Sequence, residues 1–142
     1  MNLRVLQRSD FDFWIKIDTR WADMDSLGHI NHTAYLTYME SARVNVYLDL
    51  GFTGIRKDMD ESTILASMEV HYLEQCVHPT SLDIGHRISR VGNKSFDFVS
   101  AIFKDDVEKP LCTALFKLVA YNYKTNQSIL VPEKIKQNCR TF

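Results

Sequence analysis

The sequence predicts an α+β chain in which an antiparallel sheet curls around one long helix. Three observations predict it. One segment, residues 31–50, repeats its apolar residues at helical spacing. Several later segments alternate apolar and polar residues with a period of two. Short turn-forming stretches separate those segments, which makes consecutive strands antiparallel neighbours. A helix and half-apolar strands in one chain satisfy each other by packing face to face.

The first strand is expected where Phe13, Ile15, Ile17, Thr19 and Trp21 fall on one face and Lys16, Asp18 and Arg20 on the other. Asp25-Ser26-Leu27-Gly28 then breaks the alternation with residues that favour turns. A helix should begin at Asn31, a good N-cap, and run to about Leu50, where Gly51 supplies a stop. Tyr35, Tyr38, Met39, Ala42 and Val46 form its apolar stripe, and Leu36, Val44, Tyr47 and Leu48 widen it, so the helix is expected to be largely enclosed. Glu40 and Arg43 stand three apart, the spacing of a helical ion pair. Residues 52–63 read as a loop longer than a plain connection needs. Strands follow over Ile64–Tyr72, Leu82–Ile88, Phe96–Ile102 and Leu111–Tyr123, with a short last one near Ile129–Val131. Gly92-Asn93 and Lys104–Pro110 supply the turns between them.

Composition narrows the function classes. The 142 residues, with no repeat or Pro/Gly/Ser-rich linker, are read as one domain spanning 1–142. The net charge of −1 argues against nucleic-acid or anionic-membrane binding, which draw affinity from excess Lys and Arg. Cys76, Cys112 and Cys139 are widely spaced and odd in number, fitting reduced thiols better than a disulfide framework or a zinc knuckle. Residues 1–16 lack the continuous apolar core of a signal peptide, and no apolar run approaches a membrane span of about 18 residues. A cytoplasmic protein is expected.

The residues richest in chemistry cluster from Trp21 to Arg43, where two carboxylates, two histidines and an asparagine meet at a strand-to-helix junction. Such a junction is useful because the first turn of a helix carries N–H groups without internal partners and a partial positive charge. It can stabilise a negative oxygen developing on a carbonyl, and a carboxylate just before it can act as base or nucleophile. Asp25 has the other reading of an Asx-turn residue that caps backbone N–H groups. His29 and His32 can equally be surface or hydrogen-bonded residues, and Asp23 reads as structural. A metal site from Asp25, His29 and His32 is the rival, without a fourth ligand nearby.

Asp23/Asp25, Gly28-His29-Ile30-Asn31, Tyr35 and Glu40-Ser41-Ala42-Arg43 together resemble the signature of the 4-hydroxybenzoyl-CoA thioesterase family of hotdog proteins. Weaker similarity continues through Val70–Tyr72, Pro79, Gly92–Phe96 and Val131-Pro132. The resemblance implies a hotdog fold, with five to six antiparallel strands around one central helix. It implies hydrolysis of an acyl-CoA thioester to free acid and CoA, without cofactor or metal. Asp25 would be the catalytic carboxylate, and His32, seven residues on, would donate its backbone N–H to the thioester carbonyl, with Asn31 beside it. Glu40 would serve instead in another branch of hotdog thioesterases. Tyr35 and His29 would border the substrate, and Arg87, Arg90, Lys94 and Ser95 would meet the phosphates of coenzyme A. The resemblance also implies a homodimer or a homotetramer formed as a dimer of dimers, with each site built from two chains. An acyl carrier protein in place of coenzyme A, and a module that binds acyl thioesters without turnover, are the alternatives.

Overall fold

The computed structural model describes residues 1–142. Its element order is β1 (Phe13–Asp18), α1 (His32–Asp49), β2 (Ser62–Tyr72), β3 (Ser81–Val91), β4 (Ser95–Lys104), β5 (Pro110–Asn122), β6 (Gln127–Ser128) and α2 (Glu133–Lys136). All strands belong to one antiparallel sheet in the order β1-β3-β4-β5-β2, with β6 added on β5. The sheet curls around α1, which is the hotdog arrangement. No helix is long and apolar enough to cross a membrane.

Period-two patterning sets the concave face. Leu82, Ile84 and Ile88 of β3 and Phe96, Phe98 and Ile102 of β4 are fully buried against Met39, Ala42 and Val46 of α1 in one apolar core. The same alternation sends two polar groups inward, His86 and Ser100, which meet through a 2.5 Å contact between Nδ1 and Oγ, while the His86 Nε2 is left without a partner. Burial, with the Arg43 charge adding to it, pushes the His86 imidazole down from 6.5 to about 3. Folded protein therefore holds His86 neutral where the unfolded chain would protonate it, so stability is lost as pH falls from about 6.5 towards 3. Melting temperature measured from pH 7 to pH 4 should fall, and fall less steeply in His86→Asn.

The convex face carries a second, smaller core. Leu3, Leu6 and Phe11 lie over Val99, Ala101 and Phe103. Phe11 sits so close to Gly85 that a Cβ there would meet its ring at 2.7 Å. Arg8 fastens this N-terminal segment through Asp83 (3.0 Å) and the carbonyl of Lys104 (2.7 Å).

Several expectations need correction. The first strand ends at Asp18, and Trp21–Asp23 form a 3-10 turn. The final strand begins two residues earlier than expected, and a short helix, α2, follows it. A bulge between Leu65 and Ser67 breaks the alternation of β2, which forms one edge of the sheet. Helix α1 is not enclosed all round: Val44 and Leu48 are 37% and 47% exposed on its outer side. Arg43 is buried and Glu40 exposed, so the expected ion pair between them does not form.

Candidate active site

The loop from Asp23 to Asn31 is pinned at both ends by backbone bonds. Met24 and Ile30 form an isolated antiparallel bridge, Asn31 N–H donates to the Asp23 carbonyl (2.8 Å), and Ile30 N–H donates to the Cys76 carbonyl (2.8 Å). Gly28 closes the turn at φ +85°, in the left-handed region that glycine enters without cost. The loop thus delivers Asp25 to the start of α1 in a fixed geometry.

Asp25 does the structural work that its residue type suggests. Its Oδ1 accepts from the Leu27 N–H at 2.9 Å, an Asx-turn, and lies 3.5 Å from the His29 N–H. Its Oδ2 has no partner in the chain, and the carboxylate is half-buried. One oxygen is held while the other is left without a partner in a residue that lines a pocket, which orients a carboxylate without consuming it.

Asp23 is structural, as its place on the strand side suggested. Arg20 holds it in a bidentate pair (2.8 and 3.0 Å), and the Tyr38 hydroxyl donates to it at 2.5 Å. The Arg20 guanidinium, with help from Tyr38, keeps the Asp23 carboxyl below its usual range. Burial, together with the same contact, pushes the Tyr38 phenol up to about 12, so it remains a donor at neutral pH. This triad ties the loop to the first half of α1.

Asn31 caps the helix: its side-chain oxygen accepts from the Thr33 N–H and from the Thr33 hydroxyl, both at 3.0 Å. The His32 N–H, by contrast, finds no acceptor in the chain and stands at the positive end of an 18-residue helix. The His32 ring is exposed and meets Tyr72 edge-on, with ring centres 5.9 Å apart. The Tyr72 hydroxyl donates to the His32 carbonyl at 3.2 Å.

A small open pocket of about 200 Å3 collects these groups, with Asp25, His29, His32, Tyr35 and Tyr72 in its lining. Tyr35 is 3% exposed, and its hydroxyl has no partner. Leu27, Glu74 and Gln75 also line it and were missed in the sequence, because the 73–75 turn reaches the loop only once β2 is in place. No three His, Cys, Asp or Glu side chains in the chain are placed to hold a metal ion together.

The other five predicted residues do not line this pocket: Asn31 is spent on the helix cap, and four lie elsewhere. Arg87 is 3% exposed, and its guanidinium donates to the carbonyls of Arg140 (2.6 Å), Asp10 (3.2 Å) and Thr141. It fastens the two chain ends to β3, which buries it rather than offering it to a phosphate. Arg90 pairs with Asp97 through two bonds of 2.8 and 2.9 Å, and Ser95 accepts from the same guanidinium at 3.2 Å. Lys94 keeps a free ammonium and lines an open groove with Lys134 and Lys136. That groove lies at the far end of the sheet. Tyr72 pairs with Cys112 on β5, whereas the Lys94 carbonyl accepts from Ala120 N–H, eight residues further along the same strand. At the rise of a strand, that separates Lys94 from the Asp25 pocket by roughly 25 Å within one chain.

Known proteins resemble this chain in sequence and in fold. The YsmA protein of Bacillus subtilis strain 168 is 28% identical over 88 residues, a match covering 62% of this chain and 58% of that protein's length. The structure of the PA2801 protein from Pseudomonas aeruginosa superposes with a TM-score of 0.80 at 29% identity, over 88% of this chain and 95% of the other. A thioesterase from Thermus thermophilus, crystallised with coenzyme A and zinc, superposes with a TM-score of 0.78 at 25% identity, over 92% of each chain. A family model matches residues 19–139, which include the turn after β1, the Asp25 loop, α1 and the rest of the sheet. With the Asp25 loop and the curled sheet inside that match, the chain belongs to the thioesterase-like superfamily.

Proposed function

We propose that the protein hydrolyses acyl-CoA thioesters to a free acid and CoA, with Asp25 as the catalytic carboxylate. The observation that carries this reading is the pairing of a half-free carboxylate with an uncapped helix N–H in one pocket. Membership of the superfamily and the likeness to a coenzyme A-bound thioesterase support it.

In this mechanism the thioester carbonyl oxygen accepts from the His32 N–H, where the helix end stabilises the negative charge that grows on attack. Asp25 Oδ2 takes a proton from water as the water oxygen bonds to the carbonyl carbon, or attacks that carbon itself and is released by water afterwards. The carbon–sulfur bond breaks and sulfur leaves as a thiolate. A thiol has a pKa of about 8.5, so its thiolate needs little protonation to depart. Tyr35 and Tyr72 provide the apolar wall.

The substrate reaches beyond one chain. A pocket of about 200 Å3 is smaller than the range of about 300–1,000 Å3 common for ligand sites. Strand β2 is eleven residues long, forms a sheet edge, and exposes Ile64, Leu65, Met68 and Tyr72. Such an edge invites a second strand. Two copies related by a two-fold axis would pair β2 with β2 antiparallel, and each chain's Lys94 end would then lie beside the partner's Asp25 pocket. Phosphate contact by the partner's Lys94 thus becomes compatible with catalysis by Asp25.

Thiol release from short, long and aromatic acyl-CoAs tests the proposal. Turnover of any class supports hydrolysis and names the substrate. Binding without turnover across the panel would replace it with a binding module or a thioesterase acting on acyl carrier protein.

A further inference from the structure

A second pocket, distinct from the one at Asp25, lies at the other half of α1. It has a volume of about 280 Å3, opens to the surface, and is bounded by α1, the 52–61 loop, the start of β2 and the end of β5. Ile64, Leu65 and Leu118 form apolar walls. Two polar side chains border it from α1 one turn apart, Arg43 and Tyr47.

Both are more than nine-tenths buried, at 7% and 2% exposure. Neither is fully satisfied: the Arg43 Nη1 has no hydrogen-bond partner, and the Tyr47 phenol meets nothing but the Thr63 side chain. Arg43 lies 4.6 Å above the Phe116 ring, which holds the guanidinium plane but leaves its N–H edge without an acceptor. Glu40 stands at the rim of the same pocket without reaching ion-pair distance. Thr63 adds a hydroxyl close to Tyr47.

A guanidinium stays charged at any pH the fold survives, and Glu40, too far for an ion pair, offsets only part of its desolvation cost. A second buried hydroxyl in the lining of the same pocket makes a binding site the simpler explanation. Planar guanidinium edges match carboxylates, and a hydroxyl donor can complete the second oxygen.

We propose that Arg43, Tyr47 and Thr63 form a carboxylate-binding subsite for a short organic acid, whose apolar body packs on Ile64, Leu65 and Leu118. The acid is either free or the far end of an acyl thioester whose reacting end lies in the partner's Asp25 pocket. The subsite itself stands on one chain's geometry and does not require the hydrolase reading.

Calorimetric titration of the full chain with butyrate, glutarate and the neutral isostere butyramide tests it. The acids should bind at least tenfold more tightly than butyramide. Tyr47→Phe, which removes one oxygen, should weaken acid binding about tenfold with its melting temperature held. Arg43→Met should abolish it; should that variant not fold, Tyr47→Phe carries the test alone. Asp25→Asn should bind acids as wild type does, which separates this subsite from the proposed catalytic role. Thiol release then distinguishes the sources. A KM advantage for glutaryl-CoA over pentanoyl-CoA that Tyr47→Phe removes identifies the acid as part of the substrate. Acid binding without that advantage identifies a free acid. Acids that bind no better than butyramide, or bind Tyr47→Phe as well as wild type, overturn the proposal.

Discussion

Asp25→Asn should lower thioester turnover by about a thousandfold while leaving the melting temperature within a degree or two of wild type. The separation follows from the two oxygens of Asp25. Oδ1 accepts from the Leu27 N–H, and an asparagine oxygen can accept the same bond, so the Asx-turn survives. Oδ2 has no partner in the chain, and it becomes an amide that can neither take a proton from water nor attack a carbonyl. Thiol release and thermal melts on the same preparations check this. Turnover that survives the substitution removes Asp25 from the mechanism. A collapse of both activity and stability would show that the carboxylate acts mainly on the loop.

The second large effect is expected from mixing subunits. Asp25→Asn alone should be inactive, and Lys94→Ala alone should keep kcat while KM rises roughly tenfold, the loss of one charged phosphate contact. Mixed dimers of the two variants carry one site with both changes and one site with neither, provided Asp25 and Lys94 act across the chain boundary. Re-associating the variants should therefore restore a fraction of sites with the wild-type KM. Were both residues to act within one chain, no mixture could rebuild a normal site. The separation of roughly 25 Å along β5 is what makes the crossed arrangement the expected one. Met68→Asp, on the exposed edge of β2, should prevent the pairing and with it the turnover, read by sedimentation and thiol release together.

The sequence revealed the features that depend on near neighbours. Asn31 and Gly51 mark the ends of α1 because a cap and a left-handed stop are local chemistry. Phe96, Phe98, Ser100 and Ile102 mark the concave face because alternation is a property of a single strand. The Asp25 cluster is legible for the same reason, since Asp25, His29, His32 and Tyr35 converge within eleven residues of chain.

What was not legible depends on topology. Arg87 and Arg90 looked like phosphate ligands because their number and spacing say nothing about the carbonyls of Asp10 and Arg140, or about Asp97, which occupy them in the fold. Lys94 was expected among the phosphate ligands, and a linear string does not show that its hairpin lies at the far end of the sheet from the Asp25 loop. Glu40 and Arg43 obey the helical pairing rule, yet three positions on a helix turn one side chain outward and the other inward. The Ala66 bulge and the 73–75 turn had no mark at all, since each arises from how β2 meets β5 and the loop before α1.

Residues 3–11 act as a built-in cover over β3 and β4, and that has a practical consequence for anyone handling the protein. Trimming them would uncover Val99, Ala101, Phe103 and Leu115 as a continuous apolar strip and would leave Asp83 without Arg8. A shortened version should cling to other molecules, to itself and to column matrices, and any assembly it formed through that strip would be an artefact of the cut.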